Sequence, residues 1–172
     1  MAKKIILYRH GKSDWSAAYG SDHERPLAKK GVNSAKIMGR LLGSSNQIPE
    51  LAITSTALRA KQTLEISILE GGWECEVKEN KDLYYSGPDE ILEIIRNIPN
   101  NYSSVILVGH EPKWTTLCTR MIGGGEVVFS TASMARIDYD VDNWNAVEYG
   151  FGELKWLQQP SFFSKGKFDF KE

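Results

Sequence analysis

Ile5-Ile6-Leu7-Tyr8-Arg9-His10-Gly11-Lys12 decides how this chain is read. A short continuous apolar run, the mark of a strand buried on both faces, stops on an arginine, a histidine and a glycine. The pattern returns at Val105-Ile106-Leu107-Val108-Gly109-His110, where a second apolar run ends in glycine and histidine. Two of the three histidines in the chain therefore stand at strand ends. Open α/β sheets bind ligands beyond the carboxyl ends of their strands, so His10 and His110 are expected to face one crevice.

Around these two runs, strands and helices alternate. Residues 4–9, 51–54, 74–78 and 104–108 read as strands. Helical periodicity runs from Lys30 to Gly43 on Val32, Ala35, Met38, Leu41 and Leu42, and from Thr56 to the Gly71-Gly72 stop. It resumes from Pro88 to Asn97 on Ile91, Leu92, Ile94 and Ile95, and again from Pro112, a residue suited to the first helical turn, to Gly123-Gly124-Gly125. Two further strands are expected near 133–139 and 144–149, joined by Asp140-Val141-Asp142-Asn143 as an antiparallel hairpin. This order predicts a three-layer α/β/α sandwich around a mostly parallel sheet with an antiparallel edge. Residues 12–30 form a long polar loop. The segment 151–172 carries Phe151, Leu154, Trp156, Leu157, Phe162, Phe163, Phe168 and Phe170 among polar residues. It reads as a docked C-terminal tail of a single domain spanning 1–172, with a lid or a self-association surface as the other readings.

Length and composition narrow the class. At 172 residues, one domain is the expectation. Charge is balanced, with 21 Lys plus Arg against 22 Asp plus Glu, and no basic block points to nucleic acid. No apolar stretch approaches a membrane span, and the run after Lys3-Lys4 is too short for a signal peptide, so a cytoplasmic protein is expected. Cys75 and Cys118 have no paired spacing and read as free thiols. Nothing in the sequence specifies an oligomeric state.

The chemistry lies in Arg9, His10, Arg59 and His110, each at or just after a strand. Two guanidiniums suit the oxygens of a phosphate, and cations nearby hold an imidazole neutral and nucleophilic. Phosphoryl transfer needs mainly positioning and charge neutralisation, which such a cluster supplies. The rival is a metal site built from the two histidines with Asp14 or Glu111. The arginines argue against it by repelling the cation. Walker, Gly-x-Ser-x-Gly, Cys-x-x-Cys and His-Glu-x-x-His motifs are absent. His23 has no such context and reads as an exposed loop residue.

The segments Leu7-Tyr8-Arg9-His10-Gly11, Ser55-Thr56-Ala57-Leu58-Arg59-Ala60-Lys61-Gln62-Thr63 and Val108-Gly109-His110 resemble the histidine phosphatase, or phosphoglycerate mutase-like, superfamily. Arg9 to Trp15, Arg25-Pro26-Leu27 and Ser130-Thr131-Ala132-Ser133 are similar to its small SixA-type phosphohistidine phosphatases. The resemblance runs from residue 4 to about 150. It implies that His10 takes the phosphoryl group, that Arg9 and Arg59 hold its oxygens, and that His110 steadies the transition state. It places Ser16 where many members keep a small polar residue that donates to phosphate. No cofactor and no metal are implied. Larger relatives carry an acidic general acid between the second and third motifs; here Glu79 and Asp82 are the candidates, neither in a motif. A phosphoramidate substrate needs no strong acid, because its imidazole can leave already protonated. Glu111 stands where related chains often carry asparagine and is expected to turn away from the pocket or to pair with a base. Trp15, Tyr84 and Tyr85 are candidates for an aromatic rim. The implied partner is a phosphorylated protein, such as a histidine-containing phosphotransfer domain. A small phosphorylated metabolite, a mutase reaction and a non-catalytic phosphate-binding module are the alternatives.

Overall fold

The computed structural model describes residues 2–164. Six strands form one sheet in the order β3-β2-β4-β1-β5-β6. They are β1 (Lys3–Arg9), β2 (Leu51–Thr54), β3 (Glu76–Glu79), β4 (Ser104–Gly109), β5 (Met134–Tyr139) and β6 (Glu153–Gln158). The first four run parallel, and β5 lies antiparallel to both β1 and β6. Helices α1 (Lys29–Ser44), α2 (Leu58–Gly71), α3 (Asp82–Tyr85), α4 (Pro88–Arg96), α5 (Lys113–Met121) and α6 (Pro160–Ser164) cover the faces, giving the three-layer α/β/α sandwich.

Strand alternation divides the core. Ile5, Leu7, Val105 and Leu107 point to one face, against Ile91, Leu92 and Ile95 of α4 and Trp114 and Leu117 of α5. Ile6, Tyr8, Ile106 and Val108 point to the other, against Met38 and Leu42 of α1 and Ala60 and Leu64 of α2. Helices α1 and α2 meet closely because Gly39 has no side chain. A Cβ there would sit 2.4 Å from the Ser67 carbonyl oxygen. Apolar runs buried on both faces are what made β1 and β4 legible.

The second half of the expected hairpin is different. Residues 144–146 form a 3-10 turn, with Trp144 and Val147 buried at i and i+3, the period of such a turn and not of a strand. The antiparallel partner of β5 comes later, at Glu153–Gln158, inside the segment expected to be a docked tail. That segment is thus an edge strand first. Beyond it, α6 lies against α1, and Phe163 packs on the Met38–Leu42 side of the core. Phe168 and Phe170 lie outside the described residues. Cys118 is buried, Cys75 half-buried, and both are free.

Candidate active site

Strands β1 and β4 are neighbours in register, with Arg9 opposite Gly109, so the residues that follow them emerge side by side. The His10 and His110 rings lie 5.0 Å apart. Both glycines are steric requirements. A Cβ on Gly109 would strike the Trp114 ring at 2.6 Å, and one on Gly11 would lie 2.8 Å from the Gly31 carbonyl of α1. The amide of Gly11 donates to Thr63 Oγ1 at 3.0 Å, and that hydroxyl donates to the Arg59 carbonyl at 2.6 Å. The His10 turn is therefore tied to the first turns of α2, which carry Arg59.

The tautomer of His10 follows from its neighbours. Its Nδ1 lies 2.7 Å from the Gly11 carbonyl oxygen, which can only accept, so Nδ1 carries the proton. Nε2 is then a lone pair, and Arg59 Nε donates to it at 3.3 Å. The pKa of His10 is pushed down to about 4 by burial, opposed by the Gly11 bond and reinforced by Arg59, Arg9 and Arg25. His110 is pushed down to about 2 by burial, with His10, Arg59 and Lys113 adding to it. Its Nε2 pairs with Ser55 Oγ at 2.8 Å. Its Nδ1 is buried without a partner among the described residues, as are Arg9 Nε and Arg25 Nε.

A cleft of about 540 Å³ opens over these groups. Arg9, Lys12, Arg25, Lys30 and Arg59 line it, against Glu111 as its one lining carboxylate among the described residues. A dianion with several oxygens would meet both the charge and the unpartnered nitrogens. Among the described residues no group of three or more His, Cys, Asp or Glu side chains is placed to hold a metal. The expected metal rival, from the histidines with Asp14 or Glu111, lacks that donor set.

The structure brings Arg9, His10, Arg59 and His110 together and leaves other candidates apart. Ser16 does not line the cleft; its hydroxyl donates to Asp14 at 2.6 Å on the surface. Glu79 is exposed and ion-paired with Lys61 at 2.8 Å. Asp82 opens α3 and is half-buried. Neither acid lines the cleft, so the expected general acid is not found at either position. Glu111 is not turned away, and it is paired with no base among the described residues. It lines the cleft, and its Oε1 accepts from Thr115 Oγ1 at 2.9 Å. Of the candidate aromatic rim, Trp15 lines the cleft, while Tyr84 and Tyr85 stand behind His110. Arg25 stacks on Trp15 at 3.4 Å, the Tyr84 ring meets His110 edge-on at 5.2 Å, and Tyr85 packs on Tyr84. His23 is half-buried against both tyrosines and bonds Thr56 Oγ1 at 2.9 Å, so it is not the free loop residue expected.

Sequence reasoning missed Asp22. The loop 10–28 folds back on itself through an isolated bridge between Ser13 and Leu27 and presents a 3-10 turn, Asp22–Glu24, to α2. The Asp22 carbonyl accepts from Arg59 Nη1 at 2.7 Å, and its carboxylate accepts from Arg59 at 3.0 Å, Arg25 at 2.8 Å and the Tyr84 hydroxyl at 2.9 Å. Those partners, led by the Tyr84 bond, hold its carboxyl below the usual range despite the opposing effect of desolvation. Lys113 steadies the rim from below, donating to the carbonyls of Leu83, Tyr84 and Ser86 at 3.2, 2.8 and 2.8 Å. No motif announces either residue. Arg25-Pro26-Leu27 was the nearest signal, three residues downstream of Asp22.

A strand-borne histidine among guanidiniums, with a second histidine beside it, is an arrangement suited to phosphoryl transfer. The chain belongs to the histidine phosphatase superfamily, whose branch 1 family model matches residues 5–84. An uncharacterized protein of Mycobacterium leprae (strain TN) is 32% identical over 164 residues, covering 88% of this chain and 99% of that protein. The solved structure of the putative phosphohistidine phosphatase SixA from Nakamurella multipartitia is similar at a TM-score of 0.80 and 25% identity, over 93% of this chain and 97% of that one. A protein histidine phosphatase SixA complexed with tungstate superposes at a TM-score of 0.80 and 23% identity, over 93% and 99% of the two chains. The fold is of the SixA type.

Proposed function

We propose that the protein is a metal-independent phosphatase that removes phosphate from protein phosphohistidine through a covalent phosphohistidine at His10. The observation that carries this is the state of His10: neutral, its Nδ1 proton fixed by the Gly11 carbonyl at 2.7 Å, its Nε2 lone pair among three guanidiniums. Arg9, Arg59 and His110 bind the phosphoryl oxygens and offset charge that spreads over them in the transition state. Nε2 attacks phosphorus, and water then releases phosphate from His10.

The placement of the two candidate acids supports the substrate class. Glu79 and Asp82 stand away from the cleft, so an alkoxide leaving group has no donor at either position. A protonated imidazole leaves without one. The SixA structures that the fold resembles point the same way, and an exposed rim at Trp15 and Tyr85 offers a landing surface for a protein. The partner we infer is a histidine-containing phosphotransfer domain.

The test is to incubate the protein with a phosphohistidine peptide and quench rapidly. Acid-labile, base-stable phosphate is expected on His10. Turnover should vanish in His10→Ala and survive a chelator. Full activity in His10→Ala refutes the mechanism. A metabolite phosphate hydrolysed orders of magnitude faster than any phosphohistidine overturns the substrate class and leaves the mechanism standing.

A further inference from the structure

Glu111 has no part in the chemistry above, yet it is held inside the cleft. It is half-buried and follows His110 directly. It has no ion pair among the described residues, although Arg9 feels its charge and four further cations line the same cleft. Thr115, one turn along α5, holds it from the hydroxyl at 2.9 Å and from the amide at 3.4 Å. Two bonds from one neutral residue leave about half of the acceptor capacity of a carboxylate unused. A fixed carboxylate beside a dianion site weakens binding of the dianion alone. It becomes favourable when the ligand also brings a cationic N–H.

We propose that Glu111 is the specificity residue of this cleft: its carboxylate accepts the N–H of the substrate's leaving imidazole and keeps that ring protonated during transfer. This rests on the phosphohistidine reading. In the first step a P–N bond forms to His10 Nε2 as the P–N bond to the substrate ring breaks, and its electron pair stays on the substrate nitrogen. With a proton on its other nitrogen, the ring departs as neutral imidazole. Without it, the ring must depart as imidazolate, a far poorer leaving group. No proton moves; the carboxylate only retains one. In the second step the oxygen of water bonds to phosphorus and the pair of the breaking P–N bond returns to His10. Both water protons end on the released phosphate. His10 leaves neutral for the same reason, because the Gly11 carbonyl at 2.7 Å retains its Nδ1 proton. Glu111 thus gives the substrate ring what Gly11 gives His10, which is how both bonds are cleaved without a proton being donated to either leaving nitrogen.

Groups facing Glu111 do not blur a pH test. His10 and His110, the imidazoles of the cleft, are already neutral at pH 7. The Cys118 thiol, farther along α5, is pushed up to about 12 by burial and by Glu111 itself. Lys12 and Lys30 complete the set across the cleft.

The experiment compares wild type, Glu111→Gln and Thr115→Val on a synthetic phosphohistidine peptide, p-nitrophenyl phosphate and a phosphoserine peptide. In Glu111→Gln the ratio of kcat/KM for phosphohistidine to that for p-nitrophenyl phosphate should fall about ten- to a hundredfold, the size of one charge-assisted hydrogen bond. The alkaline limb of the phosphohistidine profile should move to lower pH in that variant, and the aryl phosphate profile should not follow. Thr115→Val should show the same changes in smaller degree. Equal losses on all three substrates, or an unmoved ratio and profile, would overturn the role of Glu111. A wild-type protein that turns over p-nitrophenyl phosphate but no phosphohistidine would overturn the substrate reading, and the role of Glu111 with it.

Discussion

Lowering the pH from 7.5 to 5.0 should destabilise this fold by about 4 kcal/mol through His10 and His110 alone, since each imidazole contributes about 2 kcal/mol. The unfolded chain binds a proton at each imidazole below about pH 6.5. The folded protein does not until about pH 4 at His10 and about pH 2 at His110. Both are bases with a depressed folded pKa. Their contribution is therefore harmless above the unfolded value, and stability drains away as pH falls below it. At pH 5.0 each group lies about 1.5 units below its unfolded pKa, or about 2 kcal/mol at 1.36 kcal/mol per unit. That sum does not depend on how far the folded values fall, provided both lie below 5. The side chains are buried, His10 at 8% and His110 at 6% exposure, so solvent does not screen the effect away. Four kcal/mol is a large part of the roughly 5–15 kcal/mol that holds a domain together. Urea unfolding at pH 7.5, 6.5 and 5.0, in buffers free of phosphate, measures it. His110→Asn should show about half the wild-type slope. In wild type, NMR titration of the ring carbons should show neither imidazole protonating above pH 5. A flat wild-type stability over this range, or either ring titrating above pH 6, would refute the claim that burial and guanidiniums hold both rings neutral.

Two substitutions probe how the site is held. Asp22→Ala removes the carboxylate shared by Arg59, Arg25 and Tyr84. That carboxylate is 48% exposed, so each pair is a partly screened one worth at most about 1 kcal/mol, and steady-state assays should show kcat/KM reduced about three- to tenfold, with most of the change in KM. Gly11→Ala places a Cβ 2.8 Å from the Gly31 carbonyl, a backbone atom that cannot rotate aside. Thermal unfolding should show a loss of about 1–3 kcal/mol, and kcat should fall at least about a hundredfold as His10 shifts.

What the sequence reveals of this site follows the range of the forces that build it. His10, Arg9 and His110 sit where apolar runs end, and the end of a buried strand is written in consecutive residues. Arg59 comes at a helix start, which is equally local. The two-sided burial of β1 and β4 was legible because every residue from Ile5 to Tyr8 is apolar. Residues 144–149 misled because Trp144, Val147 and Tyr149 are strand-forming types, while Trp144 and Val147 are buried by a turn fixed by Trp144 donating to the Tyr102 carbonyl at 2.9 Å. Strand β6 was hidden for the opposite reason. An edge strand needs apolar residues on only part of one face, and Glu153 and Lys155 beside Leu154 and Trp156 look like a decorated tail. Asp22 was invisible because its role comes from four bonds across 3 to 62 positions of sequence, made by a loop whose path depends on Ser13 meeting Leu27. Glu111 shows the limit most clearly. Its neighbours in sequence predict repulsion from an anion site, and a carboxylate free to choose would pair with one of the cations there. Thr115 removes that choice. The residue is therefore informative because of what it fails to do, and that failure is a property of three-dimensional placement that no pattern of residue types contains.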